Sequence, residues 1–321
     1  MEQRQLGGSG LWVSRLGLGT MNWGKDTGEE EAAHQVATFL DAGGTFVDTA
    51  DIYAGGDSER ILGRLLHTVA RREDLVIGTK AGHSPQAYRP QDTSRRHLLA
   101  ALDASLSRLG TEHVDLWQVH VYDPDTPTEE TLAALDTAVA SGRVRYVGVG
   151  NVTAWQFTKY ATWQRAVTGR TPVISVGTEY SLVNRRVETD LLPAVADAGA
   201  GLLAWSPLGR GVLTGKYRDG RPDGSRGAAE DMAAFVEPYF DERSRRIVES
   251  VCTAARGLGV SAHAVALSWV RDQPYVASTP VGARTAPQLE ELLASEALIL
   301  PREIRDALDD ASADAVGPVL A

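Results

Sequence analysis

Eight times along this chain a short apolar run is followed by a longer segment of helical periodicity, and that alternation restricts the fold more than any other feature. The runs are LGLG at 16–19, TFVD, LVIGTK, VDLWQVH, VRYVGVGN, PVISVGT, GLLAW and YVAST. Most are apolar at consecutive rather than alternate positions, the pattern of strands covered on both faces in a parallel sheet. The intervening segments carry helix signals, such as the acidic first turn and closing glycine of EEEAAHQVATFLDAG. Eight such units predict an α/β chain closed into a (β/α)8 TIM barrel, one domain over 1–321. The competing architecture, a doubly wound open sheet, lacks its dinucleotide fingerprint: GLGTMN at 17–22 puts Asn22 where the last glycine of G-x-G-x-x-G belongs.

Three stretches depart from the plain repeat. The opening RQL-GGSG-LWV reads as a β-hairpin. Residues 207–240, after the seventh barrel strand, are too long and too rich in glycine and charge for an ordinary connection, and they read as a lid over the mouth. From 301 to 321 the chain holds one more helix, with Pro301 in its first turn, and then a tail expected to be mobile.

Composition narrows the function. A net charge of -10 argues against a protein that coats nucleic acid or an anionic membrane, so any anionic ligand must be held by a local cluster of cations. One cysteine, Cys252, excludes an internal disulfide and reads as a small apolar filler. MEQRQLGGSG has neither a basic nor an apolar leader region, and no run approaches eighteen apolar residues; the expectation is a cytoplasmic protein, monomeric or a weak homo-oligomer.

Four polar residues stand at or just past the ends of apolar runs: Asp48 after TFV, Tyr53 five residues on, Lys80 closing LVIGTK and His120 closing VDLWQVH. In a parallel barrel those positions meet at the C-terminal mouth, where such folds place their chemistry. Singly, each has an ordinary structural role: a turn cap, a packed aromatic, a surface amine, a semi-buried imidazole. Together they make a proton-transfer site, because each shifts the pKa of the others. Lys80 is the cation a phenol needs to titrate usefully, Asp48 keeps that amine charged, and His120 orients a substrate oxygen or helps pass the proton. None of the four carries a hydride, so a reduction here requires a cofactor.

FVDTADIYAGGDSE, LVIGTKAG, ALDASLSRLGTEHVDLWQVH, GRVRYVGVGN, EYSLVNR, SPLGRGVLTGKY and GARTAPQLEE together resemble the aldo-keto reductase family over nearly the whole chain. The resemblance implies NADPH bound in extended form and a catalytic tetrad of Asp48, Tyr53, Lys80 and His120, with the tyrosine as general acid and its pKa lowered by the lysine and aspartate. It implies cofactor contacts at Gly19, Thr20 and Met21 beside the nicotinamide and ribose, at Asp48, and at Asn151 on the carboxamide. Trp205 would lie against the nicotinamide face. Ser206, Leu208, Gly209, Gly211 and Lys216 would wrap the pyrophosphate, and Gly282, Ala283, Arg284, Gln288 and Glu291 the adenosine end. Arg284 would grip a 2′-phosphate, favouring NADPH over NADH.

The sequence also departs from that pattern. Gly150 replaces a serine, and Gly177 a glutamine, that would bond the carboxamide; Leu292 replaces an asparagine at the adenine. Expected substrate walls are Trp23, Tyr88 and Tyr122, with Phe235 or Tyr239 from the long loop, suited to a flat or apolar carbonyl compound. An aldehyde or ketone of medium size comes first, and a sugar or secondary-metabolite ketone second. The family also includes auxiliary subunits of potassium channels, so a cofactor-binding partner with little turnover is a separate reading. A metal-dependent hydrolase is disfavoured, since the seven histidines include no H-x-H pair at a strand end.

Overall fold

The computed structural model describes residues 1–83 and 87–313. A two-stranded antiparallel hairpin, β1 (Gln3–Gln5) and β2 (Trp12–Ser14), precedes the barrel strands β3 (Leu16–Gly19), β4 (Phe46–Asp48), β5 (Val76–Ala81), β6 (Val114–Val119), β7 (Val144–Gly150), β8 (Val173–Glu179), β9 (Gly201–Trp205) and β10 (Val276–Val281). Neighbours pair in parallel in chain order, and β10 returns to β3, closing the ring. Outside it lie α1 (Glu29–Asp41), α2 (Asp57–Leu65), α3 (Arg95–Leu109), α4 (Thr128–Ala140), α5 (Ala154–Ala166) and α6 (Leu191–Asp197). After the long segment, which holds α7 (Ala233–Val236), come α8 (Glu242–Leu258), α9 (Ala262–Arg271), α10 (Ala286–Leu293) and α11 (Arg302–Ser312). The expected barrel with its hairpin is therefore present. Pro301 is the N-cap of α11, and the tail from 314 to 321 lies outside the described residues.

Side-chain alternation divides each strand between two cores. Val47, Ile77, Trp117, Val147, Val176 and Leu202 pack with the surrounding helices. Leu11, Val13, Phe46, Leu116, Ile174, Leu203 and Ala277 form a second, inner cluster to which the hairpin contributes. A ring the size of Phe46 fits there because β3 and β5 present glycines: a Cβ on Gly17 would lie 2.9 Å from Phe46 Cδ1, and one on Gly78 3.0 Å from Cε2. The hairpin is fixed to the strand-start end by Gly8 N–H donating to Gly199 O at 2.7 Å. With that end filled by apolar side chains, the opposite end is the one open to chemistry.

Residues 207–240 are anchored at two distant points. On one side Arg210 pairs with Glu179 at the end of β8 and lies over the rings of Phe235 and Tyr239, 3.9 and 5.1 Å from their centroids. On the other, Arg226 donates to Asn22 Oδ1 at 3.0 Å, Lys25 pairs with Asp231, and Arg284 donates to the carbonyl of Gly224. The segment thus runs from the end of β8 to the loop that follows β3.

Candidate active site

The barrel brings all four predicted polar residues together. Lys80 Nζ donates to Asp48 Oδ2 and to the carbonyl of Thr49, each at 2.7 Å. The same nitrogen lies 5.4 Å from the Tyr53 ring centroid, and the Tyr53 and His120 rings are 6.3 Å apart at 79°. Asp48 and Lys80 are 7% exposed and His120 8%, so their charges act through little water.

Local structure explains the placement. Tyr53 opens a short 3-10 turn, and the next three residues, Ala54, Gly55 and Gly56, all have positive φ (49°, 63° and 92°), which only glycine adopts freely. Gly56 cannot carry a side chain, because a Cβ there would lie 2.8 Å from Arg108 Cδ. Thr20, Thr49 and Ser58 tie the ends of β3 and β4 to α2 through buried hydroxyls, Ser58 donating to Thr20 Oγ1 at 2.7 Å.

Burial by itself would strip the Lys80 ammonium of its proton; Asp48 and Tyr53 outweigh it, and the lysine is held above its usual range. Burial pushes the Tyr53 phenol up as well, and Lys80 pulls it down without cancelling the rise. This differs from the lowered tyrosine implied by the family resemblance, and desolvation is the reason. His120 is pushed down to about 3, by burial first and then by Lys80 and His83, so its imidazole is neutral near pH 7. The phenol therefore keeps its proton near pH 7.

A carboxyl that the sequence reading passed over lies behind this cluster. Asp51, three residues past Asp48, is pushed up to about 7 by burial and by Glu59, against Arg108, and its Oδ1 has no hydrogen-bond partner among the described residues. Glu59 is fully buried, accepts from Thr79 Oγ1 and from Arg108 Nε at 2.6 Å each, and so fixes α2 to α3 and β5.

The residues expected around a cofactor are gathered at the ends of β3, β7, β9 and β10. Gly19 and Gly282 face each other, a Cβ on Gly282 lying 3.4 Å from the Gly19 carbonyl. Thr20 is buried, Met21 exposed, and Asn22 Nδ2 donates to Ala283 O at 3.3 Å. Asn151, at φ 53°, donates from Nδ2 to the His120 carbonyl at 2.9 Å and accepts from Trp205 Nε1 at 3.2 Å. Ser206 and Arg210 also take positive φ, which turns the chain past Leu208 and Gly209. At Gly211 a Cβ would lie 3.3 Å from Lys216 Nζ, so glycine lets that amine approach the backbone. Arg284 N–H donates to Gln288 Oε1 at 3.1 Å, Glu291 is exposed, and Leu292 is part of the core.

Lys216, Arg226 and Arg284 converge here. Shelter from water holds the Lys216 ammonium below its usual range, Arg226 and Arg284 adding to the effect against Tyr217; the Arg226 guanidinium is lowered by burial and then by Arg284. Among the described residues none of the three has a carboxylate within ion-pair distance, and Asp26 acts on Arg226 only from farther away. Cations that repel one another around glycine-exposed backbone fit a polyanion. Arg226 was not foreseen, because a single arginine in a long irregular segment carries no sequence signal.

Of the expected substrate walls, Tyr122 lies at the mouth, 5.5 Å from Trp155 and 6.0 Å from Tyr160. Trp155, on α5 and largely exposed, is an aromatic the sequence reading missed. Trp23 is placed in the core, fully buried with Nε1 donating to Gln35 Oε1 at 2.9 Å, because α1 folds over the loop after β3. Tyr88 is fully exposed. His83, also unforeseen, lies 5.7 Å from the His120 ring and is fixed by a 3.1 Å contact from Nδ1 to the Pro90 carbonyl.

Residues 15–313 match the Aldo/keto reductase family. The chain is 35% identical to an uncharacterized oxidoreductase, YrpG, of Bacillus subtilis, covering 97% of this chain and 95% of that protein. It is 36% identical to L-glyceraldehyde 3-phosphate reductase of Escherichia coli (91% of this chain, 86% of that protein) and 34% identical to a probable voltage-gated potassium channel subunit beta of Oryza sativa (91% and 90%).

Proposed function

The chain belongs to the aldo-keto reductase family, and from that premise we propose that it is an NADPH-dependent reductase that converts an aldehyde or ketone to an alcohol, with Tyr53 as general acid. The observation that carries the reading is the Asp48–Lys80 pair at 2.7 Å set against a still-protonated Tyr53 phenol. Bound NADPH would supply the hydride. Gly19, Thr20, Met21, Asp48, Asn151 and Trp205 would hold its nicotinamide half, and Ser206, Leu208, Gly209, Gly211, Lys216, Gly282, Ala283, Gln288 and Glu291 the remainder. The cluster of Lys216, Arg226 and Arg284 supports a phosphate-rich ligand, and a guanidinium on a 2′-phosphate favours NADPH.

In this scheme neutral His120 receives the carbonyl oxygen, Tyr53 gives its proton to that oxygen as negative charge develops, and the Lys80 ammonium stabilises the phenolate left behind. Asp48 keeps Lys80 charged throughout. The Tyr122–Trp155 pair favours an apolar or flat substituent on the substrate, and the segment 207–240 acts as the lid.

Loss of NADPH absorbance with a panel of aldehydes and ketones, NADH serving as the comparison cofactor, tests the proposal. Steady turnover with preference for NADPH is expected. Tight binding without turnover would replace it with the auxiliary-subunit reading, after the rice relative named as a probable potassium channel subunit beta.

A further inference from the structure

One buried side chain next to the proposed site has, among the described residues, no partner for either polar atom. Gln118 is 1% exposed, and among the described residues neither Oε1 nor Nε2 has a hydrogen-bond partner. A primary amide sealed from water with its donor and acceptor both unmet is costly, so such a group ordinarily meets a ligand or water.

Its direction follows from the strand. Gln118 lies two residues before His120 on β6, and alternation turns both toward the barrel interior. From there the side chain runs across the faces of β7 and β8. A Cβ on Gly148 would lie 3.2 Å from Gln118 Cγ, and a Cβ on Gly177 would lie 3.3 Å from Gln118 Oε1. Glycine at both positions is what opens this path. The amide therefore ends beside Gly177, whose carbonyl accepts from Asn151 N–H at 2.9 Å.

A ligand group that satisfies both atoms presents an acceptor and an N–H donor side by side, which describes a carboxamide. We infer that Gln118 is a cofactor-binding residue that hydrogen-bonds the nicotinamide carboxamide, reaching from β6 into the room that Gly148 and Gly177 leave. The inference rests on the cofactor reading above and adds to it a contact from a different strand.

Equilibrium binding, read from intrinsic tryptophan fluorescence, tests it with three ligands: NADP+, its 3-acetylpyridine analogue, which keeps an acceptor but has no amide N–H, and 2′-phospho-ADP-ribose, which has no pyridine ring. Gln118→Met keeps the length of the side chain and removes both polar atoms. The expected result is a Kd for NADP+ raised about three- to tenfold, with the Kd for 2′-phospho-ADP-ribose unchanged. The acetylpyridine analogue should bind the wild type more weakly than NADP+ and respond less to the substitution. Gln118→Glu, which keeps an acceptor and the side-chain volume, should also weaken NADP+ selectively and serves if the methionine variant folds poorly. Equal Kd values for NADP+ in wild type and variants, or equal losses for NADP+ and 2′-phospho-ADP-ribose, would overturn the assignment. If the wild type binds 2′-phospho-ADP-ribose and NADP+ not at all, the cofactor reading itself fails, which is a separate result.

Discussion

The two ends of the barrel interior use glycine alike and fill the space differently. At the strand starts, Gly17 and Gly78 make room for the ring of Phe46, and the result is a dry, apolar cluster. At the strand ends, Gly148 and Gly177 make room for the Gln118 amide, and Gln118 and His120 retain polar atoms without partners among the described residues. Packing at one end is complete within the protein, whereas at the other buried polar atoms are left over. The same fold element can therefore stabilise or bind according to what is placed beside it.

Four measurements would break or sharpen that contrast. Tyr53→Phe, at the open end, should lower kcat for carbonyl reduction by about 10²–10⁴ while NADPH affinity stays near wild type, because only the transferable proton is deleted. Single-turnover kinetics and a binding titration check both halves, and unchanged turnover would remove Tyr53 from its role. At the closed end Phe46→Ala should cost about 3–5 kcal/mol in a denaturant titration, the large-to-small penalty of a filled core. A loss below about 1 kcal/mol would mean that the strand-start cluster is no better packed than the mouth.

Arg284→Ala should raise KM for NADPH by about ten- to a hundredfold and KM for NADH much less, since a charge-assisted bond to phosphate is worth about 1.5–3 kcal/mol. Equal increases would place the 2′-phosphate elsewhere.

The smallest effect concerns Asp51. Its folded-state pKa of about 7 lies above the ordinary 3.8, so its contribution to stability is full below about pH 4 and is lost as pH rises through 7. Asp51→Asn should therefore gain on the wild type between pH 5 and pH 8 by on the order of 2 kcal/mol, discounted for partial solvent access. Thermal unfolding at the two pH values measures it, and a constant difference would show that the carboxyl is not protonated in the fold.

Much of this was legible in the chain. Consecutive apolar positions and intervening helical segments specify parallel strands and their count, and the positions of Asp48, Tyr53, Lys80 and His120 follow once the strands close. Trp23 was misleading because its burial depends on α1 folding over a loop, a long-range contact with no local pattern. Arg226 and His83 sit in irregular segments, where nothing in the spacing tells which way a side chain turns. Gln118 could have been found: counting two residues back from His120 puts it on the inward face, and the glycines at 148 and 177 reveal the space around it.

A sheet that closes on itself has no outermost strand to recruit a neighbour. Among the described residues the remaining strand edges belong to the hairpin, whose strands are three residues each and whose Arg4 side chain reaches the carbonyl of Val276 at 3.0 Å. So short and occupied a ribbon offers little template for stacking chains, and the route to fibrillar association is narrow even when the protein is concentrated.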